Sequence, residues 1–173
     1  MSPWRHARAV LLLPFMNTVL IPALILVLTG DYRVAGDAGS LLASAAGLAL
    51  IGIGATLVVR AIALFVRIGQ GTLAPWDPTR VLIAEGLYRY SRNPMKAGLF
   101  LVLIGESLLL GSRAIAIWAA AFIVVNVLYI RYFEEPGLKR RFGRAYADYC
   151  KRVPRWFGLG KRGLAGSDRG VRA

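Results

Sequence analysis

Cysteine occurs once in this chain, at Cys150, and histidine once, at His6, so there is no pair for an internal disulfide and no cysteine and histidine set to hold zinc. Both shortages argue against a redox or zinc enzyme. Acidic residues are scarce too, nine against 22 lysines and arginines, for a formal net charge of +13. Such a surplus can signal nucleic acid, but here the basic residues flank apolar runs and no nucleic-acid-binding module is recognisable. The headgroups of anionic lipids are the better counter-charge. Charged residues of any kind make up only 18% of the 173 residues, while 57% are hydrophobic and gathered in blocks, with mean hydropathy +0.55. That pattern is that of an all-α, polytopic membrane protein of one domain, residues 1–157, followed by a tail.

Taken in order, a short basic segment, Met1 to Arg8, precedes an apolar run over residues 9–29, a first transmembrane helix kinked at Pro14 and Pro22. Its 21 residues, apolar apart from Asn17 and Thr18, exceed the usual apolar core of a signal peptide. A second span covers residues 40–65, where Gly47, Gly52 and Gly54 let another helix approach closely and Arg60 reaches for the interface. The chain then leaves the membrane through Gly69, Gly71, Pro75 and Pro78, with Trp76 as an interfacial aromatic. Residues 94–111 and 114–133 form a third and a fourth span, and the short Gly111-Ser112-Arg113 link makes them a tight antiparallel hairpin. Glu106 lies inside the third span, where an ionised carboxylate costs about 2.5 kcal/mol or more, so it should face protein, water or the far interface.

Basic residues set the orientation. Two precede the first span, five lie between Arg67 and Lys96 and twelve follow Ile130, all on one side of a four-span topology; only Arg33 and Arg113 lie on the other. Both termini and the central loop are therefore expected in the cytoplasm.

That loop ends in Gly86-Leu87-Tyr88-Arg89-Tyr90-Ser91-Arg92-Asn93-Pro94-Met95-Lys96-Ala97-Gly98, polar, aromatic and basic between two apolar runs. Its end reads as a helix start, with Asn93 capping through its side-chain oxygen and Pro94 at the first helical position, where no amide hydrogen is stranded. Free amides, the positive end of the helix dipole and Arg92 together suit an anion. After the fourth span, Arg131 and the acidic pair Glu134 and Glu135 stand at the membrane exit, where acids do nothing for anchoring to anionic lipid. Residues 138–152 then place Leu138, Phe142, Ala145, Tyr146 and Tyr149, with Val153 beyond them, opposite a basic face, an amphipathic helix lying on the inner leaflet. Residues 158–173 read as a disordered basic tail.

Two patterns on either side of the hairpin carry a resemblance. One is Gly86, Tyr88, Arg92 and Pro94; the other is Glu134, Glu135, Leu138, Phe142, Gly143, Tyr146, Tyr149, Val153, Pro154 and Arg155. In this order the chain resembles the isoprenylcysteine carboxyl methyltransferases and their phospholipid methyltransferase relatives, over about Leu73 to Trp156. The resemblance implies S-adenosylmethionine as cofactor, held on the cytosolic side by Val81, Leu82, Ile83, Tyr88, the turn Asn93, Pro94, Met95 and Lys96, and Glu134. Asn93 stands where many members have His, and Lys96 where they have Tyr. It also implies a lipophilic or membrane-embedded methyl acceptor: a prenylated carboxylate, a phospholipid amine or a lipophilic thiol.

Methyl transfer from a sulfonium is an in-line displacement, so a protein chiefly positions the partners, excludes water and balances charge. A carboxylate acceptor needs an arginine to orient it, with Arg131 and Arg155 as candidates. An amine acceptor must lose a proton, which Glu135 or Asp148 could take. Two other readings are a nicotinamide-dependent membrane reductase of the sterol-reductase type and a non-enzymatic lipid-binding scaffold.

Overall fold

The computed structural model describes residues 11–33, 36–68 and 81–157, and all regular secondary structure among them is helical. The basic N-terminal segment, the link carrying Gly69, Gly71, Pro75, Trp76 and Pro78, and the tail 158–173 lie outside the described residues.

The first apolar run is helical from Leu11, but not uniformly α. Leu11–Leu20 is wound as a π-helix with Pro14 inside it, and α1, Ile21–Thr29, takes over with Pro22 in its first turn. Each proline lacks an amide donor and crowds the turn before it, and the wider winding absorbs this without breaking the run. Thr18 Oγ1 donates to the Pro14 carbonyl at 2.8 Å, so that carbonyl is not left without a donor. Gly30, in the left-handed region at φ 60°, ends α1 by donating its N–H to Leu26 O.

Helix α2, Ala38–Ile68, and helix α3, Pro94–Leu109, form the largest helix pair, and the reason is glycine. A Cβ on Gly54 would stand 2.5 Å from Gly98 O, and one on Gly98 would stand 2.7 Å from Gly54 O; Gly47 and Gly105 repeat the arrangement at 2.6 Å in both directions. The two glycines on each helix are seven residues apart, two turns, so both pairs fall on one antiparallel seam where backbones touch. Of the three small residues expected to admit a neighbouring helix, Gly47 and Gly54 do so. Gly52 does not: it is exposed with open space around it, because it lies off the seam.

Helix α3 turns back through Leu110, Gly111 at φ 57° and Ser112 into α4, Arg113–Tyr129, giving the tight hairpin read from the short link. Ser112 Oγ accepts from Ile115 N, and Asp31 Oδ2, from the link after α1, accepts from Ala114 N at 2.8 Å and from Ser112 Oγ at 3.2 Å. The Asp31 carboxyl is held below the usual carboxylate range, chiefly by that backbone hydrogen bond from Ala114.

The link expected between a fourth span and a separate helix is not a break. Ile130–Glu134 winds as a π-helix and runs directly into α5, Glu135–Arg152, so helix is continuous from Arg113. Pro136, in the first turn of α5, cannot donate to the turn before it, and the π widening just upstream lets the chain continue past it. Inside α5, Gly143 departs from helical geometry at φ 53°, ψ −124°, so the expected unbroken amphipathic helix is kinked. Nor does its apolar side stand free: Tyr146, Tyr149 and Val153 are buried with Leu82, Ala84, Leu138, Phe142 and Cys150, while Ala145 is exposed.

Two helical runs, Ala38–Leu64 and Arg113–Arg152, are long and apolar enough to cross a membrane by length and composition, and Pro14–Thr29 is apolar but shorter. A substitution contrast tests the glycine seam. Gly98→Ala should lower the stability of the detergent-solubilised protein by about 1–3 kcal/mol through overpacking. Gly52→Ala should be neutral or stabilising by up to about 1 kcal/mol, since alanine is the better helix former. Equal shifts in thermal unfolding for the two variants would rule out the seam.

Candidate active site

Between α2 and α3, Leu82, Ile83 and Ala84 have no regular secondary structure, and their side chains alternate between two clusters. Leu82 and Ala84 pack on the Tyr146, Tyr149 and Val153 cluster; Ile83 packs with Ala61 and Tyr88 against Leu64, Ile68 and Met95. This short segment thus fastens α5 to the end of α2. The 3-10 turn Gly86–Arg89 follows, with Tyr88 buried in it, and Tyr149 Oη donates to the Tyr88 carbonyl at 2.8 Å. Burial pushes the Tyr88 phenol well above its ordinary pKa, so it stays neutral.

Residues 91–93 are sewn to the segment after α5. Arg92 N donates to Pro154 O at 2.9 Å, and both Ser91 Oγ and Asn93 Nδ2 donate to Arg155 O at 3.2 Å. Asn93 therefore does not cap α3 with its side chain, as the sequence suggested; its amide group is turned to Arg155 instead. The consequence is a helix start with Pro94 at its head and no side chain over its first amides.

The charged groups gather below this seam. Glu135 lies between two arginines: Arg92 Nη1 donates to its Oε1 at 2.8 Å, while Arg155 donates through Nε to Oε1 at 2.9 Å and through Nη2 to Oε2 at 2.5 Å. The anion beside Arg92 is thus supplied by the chain itself. Arg92 Nη1 also contacts Cys150 Sγ at 3.0 Å, and its Nε is buried with no partner among the described residues. Hydrogen bonding to Glu135 raises the Arg155 pKa further above its ordinary value. Next to this triad Lys96 Nζ pairs with Glu134 Oε2 and lies 5.2 Å from the Tyr129 ring centre.

The fold thus brings together Arg92, Asn93, Lys96, Glu134, Glu135 and Arg155 from the two ends of a stretch of more than sixty residues. Pro94 is fully buried and Met95 packs below Tyr88. Of the other expected site residues, Val81 is exposed, whereas Leu82 and Ile83 are taken up in packing. Arg131 is exposed, with its guanidinium 5.8 Å from the Tyr132 ring centre and no ion pair among the described residues. Asp148 is exposed and paired with Lys151. Sequence reasoning missed Arg92 as the partner of Glu135, and missed the bond between the 91–93 turn and Pro154-Arg155. The available signal was that the two motifs each carry one arginine and the second also carries the acid.

Residues 42–145 match the phospholipid methyltransferase family, well over half of the chain. The chain belongs to this family. Its members are S-adenosylmethionine-dependent membrane methyltransferases. Over 74 residues it is 36% identical to protein-S-isoprenylcysteine O-methyltransferase B of Arabidopsis thaliana, a stretch that covers 42% of this chain and 37% of that protein. The match thus spans little more than a third of the relative's length. No solved structure matches the chain.

Both carboxylate oxygens of Glu135 are occupied by guanidinium hydrogens, which suits it to hold two chain segments together and leaves it poorly placed to collect a proton. Glu135→Gln should therefore lower stability by about 1.5–3 kcal/mol, the worth of a charged hydrogen bond, as read by thermal unfolding in detergent. An unchanged melting temperature with methyl transfer abolished would instead make Glu135 the base.

Proposed function

We propose that this protein transfers a methyl group from S-adenosylmethionine to an acceptor delivered by the membrane, at the junction of the 91–96 turn with α5. The observation that carries the reading is the pairing of Lys96 with Glu134 at an open helix start. The methionine moiety of the donor is a zwitterion. Lys96 and the first free amides of α3 suit its carboxylate, and Glu134 suits its ammonium or ribose hydroxyls, so a pair satisfied by itself can open to match both charges of the ligand. The residues present therefore fit the cofactor. When bound it supplies an activated methyl group on a positive sulfur; the chain's part is to hold the donor, align the acceptor and keep water out.

The Arg92-Glu135-Arg155 triad keeps the turn and the segment after α5 in register, so it positions Lys96 and Glu134 rather than reacting. Glu135 and Arg155, together with Arg131, are the candidates for catalysis; Arg155 could orient an acceptor carboxylate only when released from Glu135, whereas Arg131 has no ion pair among the described residues. The acceptor belongs to the lipid or lipidated class. Isoprenylcysteine carboxylate is one choice within it, alongside a phospholipid amine or a lipophilic thiol.

The membrane arrangement we infer has four crossings, with both termini and the site in the cytoplasm, and a single domain over residues 1–157. Helix α3 has 16 residues and is about 24 Å long, so it crosses only with its ends at the interface. The run Arg113–Arg152 has 40 residues. If straight it would be about 60 Å long, twice the hydrocarbon thickness, so α5 must leave the bilayer, and Pro136 and Gly143 are where it can bend. Its exposed basic face, Lys139, Arg140, Arg141 and Arg144 among others, suits the anionic inner leaflet.

Two measurements bear on this. Glu134→Gln should weaken donor binding by about 1.5–3 kcal/mol in a calorimetric titration in detergent, with folding retained. Unchanged affinity in a folded variant would move the donor elsewhere. For topology, single cysteines introduced at Gly36 and Arg113 in a Cys150→Ser background should react with impermeant reagent only from the non-cytoplasmic side; labelling of either from the cytoplasm would overturn four crossings.

A further inference from the structure

At the 86–90 turn lies a cavity that no step of methyl transfer uses and that neither Glu135 nor Cys150, the side-chain partners of Arg92, lines. It is open, about 470 Å³ in volume, and lined by Arg60, Leu64 and Arg67 of α2 and by Gly86, Arg89 and Tyr90. Three guanidiniums share this space with no carboxylate among the described residues of its lining, and none of the three has a hydrogen bond or ion pair among the described residues. Glu85, next in the chain, is exposed and outside the lining. No residue is shared with the Arg92-Glu135-Arg155 triad or with the Lys96-Glu134 pair.

Position and shape narrow what this cavity takes. Arg60 and Arg67 are two helical turns apart, hence on one face of α2, and Leu64 between them ends the long apolar stretch that begins at Ala38. The cavity therefore sits where a membrane-crossing helix meets the headgroup layer. Gly86 has φ +57°, and a Cβ there would stand 2.8 Å from Leu64 Cδ1, so the lining has a place that only glycine leaves clear. Apolar atoms of Leu64 and the exposed ring of Tyr90 border the charged groups. An amphiphile fits such a wall, with an anionic head that offers several oxygens to forked donors. Three unpaired cations repel an ammonium head, which sets this cavity apart from a seat for an amine acceptor.

We propose that this cavity binds the phosphodiester headgroup of an anionic membrane lipid, as a second site apart from the methyl-transfer centre. The bound lipid would tie the 86–90 turn to the end of α2 through Arg60, Arg67 and Arg89.

Native mass spectrometry of the full chain in non-ionic detergent tests this with three separate probes: dioleoylphosphatidylglycerol, dioleoylphosphatidylcholine and inorganic phosphate. One phosphatidylglycerol should be retained per chain, about tenfold or more tighter than phosphatidylcholine, and a tenfold excess of inorganic phosphate should not displace it. Arg60→Gln, Arg67→Gln and Arg89→Gln should each weaken retention by about fivefold, the effect of one basic side chain at an anionic surface. Arg113→Gln, at the exposed start of α4, should leave it unchanged. All three cavity positions are exposed, so the single variants decide the matter even where a triple variant fails to fold. Undiminished retention in the three single variants, or an equal loss in Arg113→Gln, overturns the site. Displacement by that tenfold excess of inorganic phosphate overturns the lipid as its occupant.

Discussion

Glu135 accepts hydrogen bonds from Arg92, which immediately precedes α3's cap, and from Arg155, which follows α5, and through these contacts the helices on either side of the site acquire fixed positions relative to each other. Around it, the backbone of 91–93 bonds to Pro154 and Arg155, and Tyr149 bonds to the Tyr88 carbonyl. A single carboxylate with two guanidiniums would be a poor source of stability if it had to be desolvated alone. Here it is partly exposed and surrounded by other hydrogen bonds, so the bridge chiefly fixes geometry. Lys96 and Glu134 each lie one turn or less from a member of this bridge, which is why their separation is set by it.

The membrane-embedded part relies on a different force. Lipid tails are as apolar as leucine, so α2 and α3 gain little by hiding side chains from them and associate by close backbone packing at Gly47, Gly54, Gly98 and Gly105. This seam sets the position of α3's first turn, and hence of Lys96, from the side of α2, while the Glu135 bridge sets it from the side of α5. Large apolar side chains elsewhere, such as Val27, Leu28, Leu42 and Ile117, point outward, as suits helices surrounded by lipid.

Much of this could be read from the sequence because the signals were chemical and local. Blocks of apolar residues gave the helices, the three-residue link gave the hairpin, and two spaced motifs pointed to the charged cluster. What escaped depended on partners distant in the chain. Asn93 is a strong cap by residue type, yet its amide binds Arg155 O, 62 residues away, and no local rule weighs that competitor. The stretch between residues 133 and 138 read as a link between two helices, whereas the π winding of Ile130–Glu134 carries the chain past Pro136 without a break. Glycine composition identified the seam-forming helix but not the register, so Gly52 could not be told from Gly47 and Gly54.

The joining of 91–93 to Pro154 and Arg155 also fixes an order of events during synthesis. Helices α2 and α3 can meet as soon as both have emerged, since their glycine seam needs nothing further along the chain. The turn cannot settle until another 62 to 64 residues have been made. At about 5–20 residues per second that is an interval of several seconds, and Glu135, the ion-pair partner of Arg92, is itself made only 43 residues after it. The nascent chain is thus a helical hairpin with an unfinished site, and only the arrival of Pro154 and Arg155 completes the junction on which that site rests.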